Sequence, residues 1–119
     1  MKIYFVSLVS TAHFQGQVYQ LTLSDDYVPL WKKAGVYELL YEKEKPRCHE
    51  AVPELVQALT EMCIHYLDYR HAVEVPKDLE SDLEDLIKEQ LFNQARAMLA
   101  MLIQAAKSYP NAVIFRETE

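Results

Sequence analysis

The 119-residue chain contains only two glycines, Gly16 and Gly35. Phosphate-cradling loops, dinucleotide fingerprints and nucleophile elbows need several glycines at fixed offsets, because the backbone must approach a phosphate or turn sharply. Nucleotide-dependent chemistry is therefore not expected. Two cysteines, Cys48 and Cys63, are too few for a disulfide framework, which fits a reducing compartment and points to the cytoplasm. No apolar run approaches the roughly 20 residues of a membrane span. The opening "MKIYFVSLVSTAH" has a lysine before a short apolar stretch, as a secretory signal does. Ser7 interrupts that stretch and β-branched and aromatic residues fill it, so it reads as a first strand.

A basic excess is also missing: 12 Lys and Arg stand against 18 Asp and Glu, a formal charge of −6. The acid surplus lies wholly beyond residue 50. Nucleic acid and anionic membranes, which are bound through basic patches, are poor partners for such a chain; a basic protein suits it better.

Half the residues are hydrophobic and a quarter are charged, the balance of a folded globular protein, and the length is that of one domain spanning 1–119. Residues 3–9 are apolar on both alternating sets, as in a central strand. In "QVYQLTLS", Tyr19, Leu21 and Leu23 alternate with Gln20 and Thr22, predicting a half-buried second strand joined to the first as an antiparallel hairpin. Residues 25–45 read as a short helix ending at Gly35, followed by a strand over 36–43, although that last segment also suits a helix. Val52, Leu55, Val56, Leu59, Met62, Cys63, Tyr66 and Leu67 recur at steps of three and four, predicting an amphipathic helix of about five turns with Cys63 at the centre of its buried arc. Pro76 is placed to open a further helix. That helix covers about 78–107, straight or bent, with Leu79, Leu83, Leu86 and Ile87 on the core face of its first half. "AVIFRE" closes the chain as a strand. The expected fold is α+β, a small antiparallel sheet of the N-terminal hairpin plus the C-terminal strand, packed against two long helices.

The stretch "EMCIHYLDYRH" at 61–71 gathers histidines, carboxylates and a thiol, as a metal or acid-base site would. On a helix it separates. Glu54, Gln57, Glu61, His65 and Asp68 form a stripe opposite the predicted core arc, so Cys63 and His65 cannot share an ion. Glu61, His65 and Asp68, with His71 or His49 added, compose the alternative reading, a small metal-binding or acid-base enzyme. One helix face offers at most three ligands, and the spacing misses the Glu-x-x-His pair of di-iron bundles. Cys48 and His49 at the helix entrance would lie roughly 20 Å along the axis from Cys63. A helix N-terminus can lower a thiol pKa, but no companion motif makes Cys48 a nucleophile. No metal, cofactor or catalytic residue is assigned.

Residues 78–89 hold six acids and one base. Asp78, Asp82, Asp85 and Glu89 fall within about 60 degrees on the helical wheel, a ridge that costs stability through like-charge proximity and recovers some from the helix dipole. Tyrosine is frequent, with Tyr66 and Tyr69 near the polar stripe, and rigid rings with polar tips suit interfaces. The functional expectation is a non-catalytic acidic protein-binding module of inhibitor or immunity type, contacting a basic partner through Asp78, Asp82, Asp85, Glu89, Tyr66 and Tyr69. The apolar segment 97–103, Ala97 to Ile103 with Met98, Met101 and Leu102, suggests a homodimer or a homo-oligomeric scaffold.

Overall fold

The computed structural model describes residues 3–10, 16–42, 46–75 and 78–118. Strand β1 (Ile3–Ser10) pairs antiparallel with β2 (Gly16–Ser24) on one side and with β3 (Val113–Thr118) on the other, giving the order β2-β1-β3. The apolar first segment is thus the central strand, as its composition requires. Pairings such as Val6 with Leu21 and Leu8 with Ile114 align the apolar sets on one face, where Val6, Leu8, Leu21, Leu23 and Ile114 are buried. Gln20 and Thr22 lie exposed on the opposite face, following the period of two.

A short 3-10 turn (Asp25–Tyr27), whose backbone Asp26 N–H donates to the Ser24 hydroxyl, leads into helix α1 (Val28–Ala34). Gly35 ends α1 with φ 79°, a left-handed conformation that a side chain resists. The next segment is not the expected strand. Glu38–Glu42 forms a single π-helical turn in which Leu39 and Leu40, adjacent in sequence, are both buried; helical winding lets two neighbours face one core, whereas a strand with only one covered face would turn one of them outward.

Helix α2 (Cys48–Ile64) is followed by α3 (Tyr66–Ala72), and α4 (Ser81–Ser108) runs unbroken for 28 residues before β3. Helix α2 packs along α4, and their meeting faces carry the small buried residues Ala51, Ala58, Ala95 and Ala106 between Leu55, Met62, Phe92, Leu99 and Leu102. The N-terminus of α2 is tied to the far end of α4, because Cys48 N–H and His49 N–H donate to the carbonyls of Ala112 and Pro110. All of these elements contribute to one continuous hydrophobic cluster, with Trp31 and Phe92 among its largest fully buried side chains. The arrangement is α+β: a three-stranded antiparallel sheet against helices of which α2 and α4 are the long ones.

Two expectations about the helices fail. The five-turn helix expected over 52–67 stops at Ile64; His65, at φ −105° and ψ 44°, breaks it, and α3 sets off afresh. The buried arc of α2 is also rotated. Cys48, Ala51, Leu55, Ala58 and Met62 are its buried residues, whereas Cys63 is exposed, together with Val56, Ile64 and Leu67. The true arc lies about 100 degrees from the expected one, because close approach to α4 selects alanines that a count of large apolar residues passes over. The predicted opening of the last helix at Pro76 lies outside the described residues.

Candidate functional site

Glu61 and His65 do meet, their carboxylate and ring 3.6 Å apart with both side chains about half exposed. Asp68 stands beyond the His65 break on α3, exposed, so the stripe of three drawn on one straight helix does not exist as such. Among the described residues no three His, Cys, Asp or Glu side chains are gathered as ion ligands. His49 sits at the other end of α2, its ring nitrogen 2.9 Å from the Pro110 carbonyl oxygen.

Cys48 is fully buried, and burial pushes its thiol pKa up, away from the thiolate that a nucleophile requires. Position near a helix N-terminus is outweighed here by desolvation. The exposed thiol is Cys63.

The predicted tyrosines separate. Tyr69 is only 5% exposed; its hydroxyl donates to the Lys33 carbonyl at 3.4 Å, and its ring lies under the Lys33 ammonium, 5.4 Å from the centroid. Burial first, and then Glu61, raise its pKa. Tyr69 therefore joins α3 to α1 in the core and is not available as a surface contact. Tyr66 is half-buried, edge-on to Phe92 at 5.1 Å, with Arg70 over its ring, and its hydroxyl donates to the Glu89 carboxylate at 3.2 Å. Tyr66 and Glu89 thus form one surface feature shared by α3 and α4.

Asp82, Asp85 and Glu89 lie exposed on α4, while Asp78 precedes the helix, exposed in the turn before Ser81. Lys88, the one base in this stretch, is engaged by Glu84 at 3.4 Å. Among the described residues Asp78, Asp82 and Asp85 have no cationic partner. Acids in the first turn of α4, Asp82 and Glu84, face the positive end of the helix dipole, which offsets part of their mutual repulsion.

The leucines beside this ridge are the largest departure from expectation. No residue of α4 before Phe92 is buried; Leu83 is 46% and Leu86 64% exposed. The line of contact with the core, set by Phe92, Ala95, Leu99, Leu102 and Ala106, continues backward through half-buried Lys88 and Glu84. The leucines stand roughly 160 degrees around the helix from it. The first three turns of α4 therefore extend past the core, offering carboxylates on one flank and leucines on another. The signal in the sequence was the mismatch of phase between Leu83/Leu86 and Phe92/Ala95/Leu99.

Within the segment 97–103, Leu99, Leu102 and Ile103 are buried in the chain's own core, whereas Ala97, Ala100 and Met101 are exposed. Among the described residues no helix is long and apolar enough to cross a membrane. Comparison with family models, with curated proteins and with solved structures found no match for this chain.

Proposed function

We propose that the chain is a non-catalytic protein-binding module whose binding element is the N-terminal half of α4, and that it contacts a basic surface of a partner protein as an inhibitor or immunity-type protein does. The observation that carries this reading is the exposed pair Asp82 and Asp85, which has no cationic partner among the described residues and lies on helical turns that contribute no fully buried residue. Glu89, held by Tyr66, extends the ridge, and Asp78 adds charge at its open end. Carboxylates placed this way steer a cationic partner and select it, contributing more to association rate and specificity than to raw affinity. Two free cysteines, one of them exposed, suit action in the reducing cytoplasm.

The direct experiment is affinity purification from the native host with the natural chain and with an Asp82→Lys/Asp85→Lys variant, each analysed by mass spectrometry. A cationic protein retained by the natural chain and lost with the variant is the expected result. Equal retention by both chains contradicts the reading.

A further inference from the structure

Helix α4 carries a second surface, which borders the carboxylate ridge at Glu89. Leu83, Leu86, Gln90, Asn93, Ala97 and Ala100 recur at alternating steps of three and four along the helix; all are exposed and none is charged. This is the spacing of a coiled-coil seam, maintained for about two and a half heptads. A solvated helix face of that length ordinarily carries charged residues. The surface is also hollowed along this line, with one shallow trough lined by Leu86, Gln90, Asn93 and Ala97 and edged by Glu89 and Gln94, and a second lined in part by Met101 and Gln104. Met101, beside the seam, is 52% exposed.

We infer that this face is covered by a second copy of the same chain, the two α4 helices running antiparallel about a two-fold axis between Gln90 and Asn93. Charge decides the direction. Apart from Lys88, which Glu84 occupies, the first half of α4 is acidic with Asp82, Asp85 and Glu89, and the second half carries the bases Arg96 and Lys107. Parallel copies would set Glu89 against Glu89 and Arg96 against Arg96, whereas antiparallel copies bring Glu89 of one to Arg96 of the other. The pattern is also self-complementary, as an isologous contact requires. With Leu86 of one copy level with Ala97 of the other, Leu83 meets Ala100 and Gln90 meets Asn93, so each large side chain faces a small one and the amides meet at the axis. In the same register Glu89 and Arg96, about 20 degrees apart on one flank of the seam, come within roughly two residue rises, about 3 Å along the axis, of each other's partner across the dimer. The central amides fix the register at some cost in stability, as polar core positions do in coiled coils. Asp82 and Asp85 meet no cation in this register. Asp82 and Asp85 stay open in both copies, whereas Glu89 is shared between the ridge and the dimer contact, so a basic partner would still find the Asp82/Asp85 pair on each copy.

Sedimentation velocity over a range of micromolar concentrations tests association, and cysteine cross-linking tests direction. The natural chain is expected to move from its 13.9 kDa monomer mass to twice that value as concentration rises. Glu89→Arg and Arg96→Glu, both at exposed positions, should each weaken the dimer at least tenfold, and the double exchange should restore it. In a Cys63→Ser background, a mixture of Leu86→Cys and Ala97→Cys proteins should oxidise to a disulfide joining the two variants, while Leu86→Cys alone should not cross-link to itself. A chain that stays monomeric throughout overturns the inference, as does Leu86→Cys linking to itself as readily as to Ala97→Cys. Circular dichroism of every variant separates loss of association from loss of fold.

Discussion

At the scale of single residues, burial rather than neighbouring charge governs the reactive groups. Cys48 is enclosed and Cys63 exposed, so a thiol reagent should modify one cysteine quickly in the native protein and the second only on unfolding. Two equally fast thiols would place Cys48 at the surface. Desolvation also raises the pKa of Cys48, Tyr27 and Tyr69 above ordinary values of 9.0 for the thiol and 10.0 for the phenols. Each folded pKa exceeds its unfolded value, so the folded state holds these protons longer. Their contribution to stability is complete below about pH 9 and is lost as pH climbs through the raised values. Chemical denaturation at a series of alkaline pH values should show stability falling across that window, with a shallower fall for Tyr69→Phe. Gly35 supplies a third test: at φ 79° with open space where a Cβ would sit, Gly35→Ala should cost about 1 kcal/mol through backbone strain alone.

At the scale of elements, the strands were legible because alternation reports burial directly: Leu21 and Leu23 lie inside, Gln20 and Thr22 outside. The end of α1 was legible because Gly35 is the residue a left-handed cap selects. Helix α2 was misread in phase. Val56, Cys63 and Leu67 look like part of a core stripe with Val52 and Leu55, but they are exposed, and the buried side is the one with Ala51 and Ala58. Close helix packing favours small residues that hydrophobic periodicity weights lightly. The break at His65 had no glycine or proline to announce it, and it turns α3 so that Tyr69 and Val73 are buried. These positions should separate cleanly under mutation. Leu55→Ala should cost 2–5 kcal/mol, in the manner of buried leucines, and Ala58→Leu about 1–3 kcal/mol through overpacking against α4. Cys63→Ser should fall within about 0.5 kcal/mol, as exposed substitutions do. Urea unfolding of the three variants orders them; a large loss for Cys63→Ser would restore the arc drawn from sequence.

At the scale of the whole molecule, the fold divides α4 between two duties. From Phe92 onward it supplies fully buried residues to the core, and before Phe92 it supplies only half-buried ones such as Ile87, Lys88 and Leu91. The acidic ridge was legible in the sequence as charge, since six acids within 78–89 need no structure to be counted. Its neighbours were not. Tyr69 belongs to the core, Tyr66 is fixed onto Glu89, and of the residues read as core Leu83 and Leu86 are exposed while Leu79 and Ile87 are half-buried, because periodicity gives a helix a face without saying which tertiary surface that face meets. Attraction of a cationic partner by Asp82 and Asp85 would be felt in the kinetics, since exposed charges act chiefly on diffusional encounter and are screened by salt. The measurement that bears on it most directly is the association rate constant with the captured partner, taken by stopped flow across a series of salt concentrations. The natural chain should associate faster at low salt, with a steep decline as salt rises, and Asp82→Lys/Asp85→Lys should associate more slowly with a flattened dependence. An unchanged rate and an unchanged salt dependence in the variant would contradict the account.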